Sequence, residues 1–255
     1  SAEAEFCVAD EPNQLEALMH GILMNVLVIG IESGAVKSKN KKSALNFLKK
    51  ASLNNLRKNK KWVDLVSTAR TVLANQMQNQ LNRVGSRLNA SPISWLGVLT
   101  TYAYFPNEFD LRQACLDWLK GGSLDVEEAK QIGIRPADRL NPELSVEQTN
   151  ETCKQRIQDF CGLAGYFRPF VFCFDQTENY GMDVDIARKF GEVIQDLVNE
   201  YTNVLIVVTA NQHIWLKKVL PNWEEAQRHR LAQPSLDLEP INRDQALELI
   251  RHRLS

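Results

Sequence analysis

An apolar run, Pro169-Phe170-Val171-Phe172-Cys173-Phe174, ends in Asp175, and a second acid, Glu178, follows three residues later. In open α/β sheets, ligands bind beyond the carboxyl ends of the strands. A carboxylate there can hold Mg²⁺, usually through water, because Mg²⁺ is a hard ion that keeps much of its hydration. A second carboxylate can orient and deprotonate the attacking water in phosphoryl transfer. The next apolar run, Val204 to Val208, leads into Thr209-Ala210-Asn211. Thr209 and Asn211 therefore end the neighbouring strand at the same edge. An amide there can hydrogen-bond a phosphate or the lytic water without adding negative charge. Arg228 and Arg230 follow in Arg-His-Arg-Leu. A guanidinium on such a segment can neutralise charge on a transferring phosphoryl group, its own or a neighbour's.

The elements that must position these residues are legible as periodicities. The continuous apolar runs at Phe170–Phe174 and Val204–Val208 read as strands buried on both faces. Between them Ile186, Phe190, Val193, Ile194, Leu197 and Val198 recur at a helical period, with Asp183 placed to cap the helix. Helix, strand, helix, strand predicts a parallel sheet with crossover helices. Upstream, Phe6 to Ala9 is a short apolar run that reads as a strand. Helical spacing then recurs from Leu15 to Val26, from Ala44 to Ala51, from Trp62 to Leu88, from Leu111 to Leu119 and from Cys153 to Ala164. Gly121-Gly122 stops one of these segments, and a short acidic helix runs from Ser123 to Gln131. No internal repeat or low-complexity tract is visible. The expected fold class is α/β, with a helical middle.

Composition excludes several classes. The chain has 255 residues, 44% hydrophobic and 24% charged, as in an ordinary globular protein. Five cysteines, at 7, 115, 153, 161 and 173, include no C-x-x-C pair, so neither a disulfide framework nor a zinc site is read. Cys161 and Cys173 lie in apolar contexts and read as small core residues. The apolar stretch Ala17 to Ile31 falls short of a membrane span, and no secretory signal is read. A cytoplasmic location is the simplest expectation, with no membrane partner. The net charge of −1 hides an asymmetry. Ser33 to Val63 holds ten Lys/Arg and no Asp/Glu, which leaves 20 basic and 31 acidic residues elsewhere, or −11. Lys41, Lys42, Lys60 and Lys61 in that stretch are candidate nucleic-acid contacts, although only Phe47 and Trp62 interleave it with aromatics.

The chemistry-bearing segments resemble those of AAA+ ATPases. F-V-F-C-F-D-Q-T-E looks like a Walker B strand, and V-L-I-V-V-T-A-N looks like a sensor-1 strand. R-H-R-L with the following L-D-L-E-P-I-N-R-D-Q-A-L-E-L-I-R-H-R-L resembles the passage into a helical lid, especially in the origin-recognition and STAND-like branches. The helical middle, with W-L-K-G-G-S-L-D, resembles insertions in large bacterial defence-type ATPases. The resemblance covers about Val146 to Ser255. It implies a parallel-sheet P-loop NTPase core with a large helical insertion, binding ATP and Mg²⁺. It implies Asp175 as the Mg²⁺ carboxylate, Glu178 as the catalytic carboxylate, Asn211 as the sensor, and Arg230 or Arg228 as an arginine finger. Gln176 and Thr209 would line the nucleotide site. The implied divisions are 1–31 for the first part of the core, 32–145 for the insertion, 146–235 for the Walker B and sensor part, and 236–255 for the start of the lid. The implied function is ATP binding and hydrolysis coupled to conformational change or assembly, with self-association or other domains of a parent protein as partners.

Two departures matter. Gln176 stands where most such ATPases carry Glu, so either Glu178 supplies the base or nucleotide binding is the switch. G-x-x-x-x-G-K-[ST] is missing. Gly34 to Lys42-Ser43 imitates it poorly, with seven residues between Gly34 and Lys42 rather than five and no second glycine. The sequence is then expected to begin just after its own phosphate loop and to bind ATP poorly by itself. The rival reading is a non-catalytic scaffold or nucleic-acid-binding module on a degenerate ATPase fold.

Overall fold

The computed structural model describes residues 12–37, 40–50, 53–83, 87–140, 145–164, 170–201 and 204–231, with isolated positions beyond. Of residues 12–14, 49, 53–54, 164 and 230 it describes the backbone alone. The expected strand at Phe6–Ala9 and most of the expected lid lie outside the described residues.

The chain divides into two compact units. The first comprises Ser1–Val171 with Tyr201–Leu205, and the second Phe172–Glu200 with Ile206–Ser255. The first unit is helical: α1 (Pro12–Glu32), α2 (Lys41–Lys50), α3 (Leu53–Lys58), α4 (Lys60–Arg83), α5 (Pro92–Tyr104), α6 (Phe109–Leu119), α7 (Val126–Gln131) and α8 (Val146–Ala164). Its centre is α5, in which every residue from Ser94 to Tyr104 is buried. A helix that is apolar all round must be enclosed on all sides, and α1, α4 and α6 pack against it. Gly97 allows the closest approach: a Cβ there would stand 2.3 Å from the Ile132 carbonyl oxygen.

By length and composition, Leu15–Glu32 of α1 is apolar enough to cross a membrane. In the folded unit, however, Met19, Ile22, Leu23, Val26 and Leu27 are packed into the core. Trp95 meets both Trp118 and Phe160 edge-on, with ring centroids 5.1 and 4.9 Å apart.

The start of α5 shows how this core is anchored. Ser91, its N-cap residue, makes no side-chain cap bond. Carboxylates from distant elements serve instead. The amides of Asn89 and Ala90 donate to Asp159 of α8 at 2.6 and 3.0 Å, and Trp95 Nε1 donates to it at 2.8 Å. Asp138 accepts from the Ser91 amide at 3.2 Å and from Ser94 Oγ at 2.6 Å. Acidic groups at a helix N-terminus satisfy orphan N–H groups and oppose the helix dipole favourably. Burial pushes the Asp159 carboxyl up, while these hydrogen bonds and Arg156 pull it back.

The strands are β1 (Phe170–Phe174) and β2 (Val204–Val208), and the second unit holds their Phe172–Phe174 and Ile206–Val208 ends together with α9 (Val184–Glu200). Asp183 caps α9 as its position suggests, accepting from the Asp185 and Ile186 amides. One face of α9 buries Ala187, Phe190, Gly191, Ile194 and Leu197. Phe190, Ile194, Val219 and Trp223 form the core, and Trp223 Nε1 donates to the Ala187 carbonyl at 2.9 Å. A Cβ on Gly191 would stand 2.9 Å from that indole nitrogen, so glycine lets the ring lie on the helix.

The expectation of a parallel-sheet P-loop NTPase core is overturned. The fold is mostly helical, with one two-stranded parallel sheet, β1 beside β2, among the described residues. The two apolar pentapeptides do form adjacent strands, but the apolar residues in most other described segments recur at helical spacing and are buried as helix faces. The strands are not buried on both sides either. Burial alternates along each, leaving Val171, Leu205 and Val207 exposed. Cys173 is exposed with them, contrary to its reading as a core residue, whereas Cys161 is buried.

Candidate functional site at the strand ends

Beyond the carboxyl ends of β1 and β2, a set of side chains links the two strand termini. All of it lies within the second unit. The Thr209 amide donates to the Phe174 carbonyl at 2.8 Å, and the Thr177 amide donates back to the Thr209 carbonyl at 3.1 Å. Thr177 is fully buried, and its hydroxyl also donates to the Thr209 carbonyl, at 2.9 Å. Thr177 therefore ties the two termini together twice. Sequence reasoning passed over it. The one available signal was its place between two acids after a strand, where a small hydroxyl residue can close a turn.

Four predicted residues are brought together on this frame. Asp175 is exposed. Its Oδ1 accepts from the Gln176 amide at 2.9 Å and also from the Thr209 hydroxyl. Glu178 is half-buried at the start of the 3-10 segment Thr177–Met182, and its Oε2 accepts from the Asn211 amide at 3.1 Å. Each acid of β1's terminus is thus bonded to a predicted partner of β2's terminus. The Asn211 side chain also serves the local fold, because its Oδ1 accepts from the Ile214 amide and caps the short turn Gln212–Ile214.

Gln176 bends the chain out of β1. Its φ of 53° and ψ of 38° make it the one non-glycine residue with positive φ among the described residues. For a residue with a Cβ this conformation costs on the order of 1 kcal/mol and clusters at functional sites. It lets the peptide amide of Gln176 turn back onto Asp175 and starts the 3-10 segment that carries Glu178. After Asn211, the helical turn passes into a π-helical turn, Trp215–Val219, another geometry common near functional sites.

Other candidates are not joined to this set. Arg228 is exposed on the helix Glu225–Leu231, with no ion pair among the described residues. The side chain of Arg230 lies outside the described residues. His213 and His229 are exposed. Of Gly34 to Ser43, residues 38 and 39 lie outside the described residues, and the two ends serve the flanking helices. The Gly34 amide closes the end of α1 on the Ile31 carbonyl, and Asn40 caps α2 through the Ser43 amide.

Asp175 suits a water-mediated hard cation. Its second oxygen, Oδ2, takes no hydrogen bond among the described residues, and the carboxylate is open to solvent. No three His, Cys, Asp or Glu side chains converge among the described residues, so the donor set offers one or two carboxylates rather than an all-protein cage. Two glycines of the second unit are packed against neighbours: Gly181 faces Lys218 and Gly191 faces Trp223. Neither forms a backbone nest for phosphate. Comparison of the chain with protein-family models, curated proteins and solved structures returned no match.

Proposed function

We propose that the ends of β1 and β2 are the carboxylate-and-sensor part of a site that binds and hydrolyses a nucleoside triphosphate, ATP by resemblance, in the cytoplasm. The observation that carries this reading is the pair of cross-strand bonds, Asp175 to Thr209 and Glu178 to Asn211. The Asp175 bond runs to the Thr209 side chain and the Glu178 bond to the Asn211 main-chain amide, so both acids are held at one sheet edge.

The roles follow from the atoms left open. Asp175, fixed through Oδ1, would hold Mg²⁺ through water with Oδ2. The ion, when bound, supplies positive charge beside the phosphates. Glu178, fixed through Oε2, has Oε1 free of hydrogen bonds among the described residues and positioned to take a proton from water. The Asn211 main-chain amide donates to Glu178 and ties the base to the end of the neighbouring strand. Gln176, placed after the metal carboxylate, adds no charge there. Arg228 and Arg230 remain candidates for charge neutralisation during transfer. The second unit's sequence holds no G-x-x-x-x-G-K-[ST] loop, so the phosphate cradle in this reading comes from outside it.

The test is Glu178→Gln in the full protein. ATP turnover should fall at least ~100-fold, the scale of general-base catalysis, while nucleotide binding survives. Unchanged turnover would sink the assignment. Asp175→Ala should instead remove the Mg²⁺ dependence of binding.

A further inference from the structure

We propose that the surface formed by α2, α3 and the first turn of α4 binds the phosphate backbone of a nucleic-acid duplex, independently of the strand-end site. The folded structure sorts eight of the ten basic residues of Ser33–Val63, and the side chains of Lys39 and Lys49 lie outside the described residues. Two are spent internally. Lys41 Nζ donates to the Glu32 carbonyl at 2.6 Å and closes the end of α1. Arg57 pairs with Glu16 and donates to the Ala103 carbonyl at 2.7 Å. Lys37, Lys42, Lys50, Lys58, Lys60 and Lys61 are exposed, and none is ion-paired among the described residues. The nearest acid beyond them, Asp64, makes no ion pair among the described residues with Lys60 or Lys61, although helical spacing would allow one.

One contact brings the basic ends of α2 and α4 together. The Phe47 ring of α2 stacks on the Trp62 ring of α4 at 5.2 Å and 8°. Lys50 lies three residues past Phe47, and Lys60 and Lys61 directly precede Trp62. Lys58 ends α3 beside them. Lys42 stands near the opposite end of α2, about 12 Å from Lys50 at the helical rise per residue. Exposed like charges with no acid paired to them among the described residues favour an anionic partner.

The same surface tells which anion. Lysine is a point charge suited to sequence-independent phosphate contact, and arginine forks for base edges are missing among the six. Single strands need open aromatic faces to stack their bases, but Phe47 and Trp62 cover each other. Membrane surfaces are entered by exposed apolar side chains beside the basic ones. From 33 to 63 no large hydrophobic is exposed among the described residues, because Ala44, Leu48 and Leu56 are in the core. A duplex needs neither feature.

The experiment is fluorescence anisotropy of the whole chain with a labelled DNA duplex of about 20 base pairs and mixed sequence, between roughly 50 and 200 mM KCl. Six phosphate contacts give a slope of log K against log salt near −5, or about 10³-fold over that range. Changing Lys42, Lys50, Lys58, Lys60 and Lys61 to Gln should weaken binding at least about tenfold and at least halve the slope. Circular dichroism and thermal melting verify that the variant folds. Lys217→Gln with Lys218→Gln, in the second unit, should leave binding unchanged. Three results would each overturn the proposal: no duplex binding at the lowest salt, equal binding by wild type and the five-lysine variant, or tighter binding to phosphatidylserine vesicles than to duplex. Single-stranded DNA of the same length binding as tightly would also overturn the duplex geometry. Because no ATP is present, failure here leaves the strand-end assignment standing.

Discussion

The two units solve burial differently. The first encloses α5 completely and buries even the charged anchors of that helix, Asp159 and Arg156, with the Arg156 guanidinium 3.8 Å over the Trp118 ring. Among the described residues, the second has a core cluster of Phe190, Ile194, Val219 and Trp223 and leaves Cys173 and Val207 of its strand ends exposed. The paired acids and their partners sit on the second, at an exposed sheet edge. Sites that must admit a ligand come from the less enclosed parts of a protein, where local opening costs less. The contrast teaches that the larger and better-packed unit need not hold the candidate site.

The contrast can be attacked where it is strongest. Trp95→Ala removes a fully buried ring and leaves Asp159 without one donor. It should destabilise the first unit by about 3–5 kcal/mol, read from urea unfolding. Little change would mean that this core is not closely packed. Asp159→Ala should cost about 3 kcal/mol, because two backbone amides, the Trp95 indole and Arg156 lose their acceptor together. Survival of full stability would show that water replaces the carboxylate easily.

In the second unit, Thr177→Val deletes one buried hydrogen bond and should cost about 1 kcal/mol. Its sharper readout is hydrogen exchange: the Thr209 and Asn211 amides should exchange faster while those of α5 do not change. Equal acceleration in both regions would erase the distinction between the units.

A last prediction concerns the thiols and is confined to alkaline pH. Burial pushes Cys115 and Cys161 up from 9.0 to about 12. A pKa raised by folding contributes stability below the unfolded value and loses it as pH rises through the folded value. The first unit should therefore weaken from about pH 9 toward 12. Cys115→Ala with Cys161→Ala should flatten that decline, and an identical slope in the variant would remove the thiols as its cause. At about pH 8, just below the ordinary thiol value, iodoacetamide should modify exposed Cys173 and spare Cys115 and Cys161 until the protein is unfolded.

Much of the site was legible along the chain. Strand ends, paired acids and an amide on the adjacent strand are local signals, and the cap at Asp183 is another. Most helical segments were legible too, since apolar spacing reports which face of a helix must be covered, but α5 is apolar all round and carries no such spacing. The fold class was misread because two strong strand signals suggested a sheet core. Two strands make a small sheet, and nothing in their composition tells how many neighbours they have. Burial on both faces was inferred from apolarity alone, yet Val171, Cys173 and Leu205 show that an apolar side chain can remain in solvent.

By itself, the sequence determined the elements and the order of the acidic and amide residues, because helix and strand periods and caps act over a few neighbouring residues. Only the tertiary structure decided which distant groups met. It gave the N-terminus of α5 its carboxylates from Asp138 and Asp159, set Thr177 as the tie between strand ends, and spent Lys41 and Arg57 while leaving six other lysines bare. Hydrogen bonds and ion pairs depend on positions within about 3–4 Å, and residues some 70 positions apart, such as Asn89 and Asp159, acquire such positions only when the chain is packed.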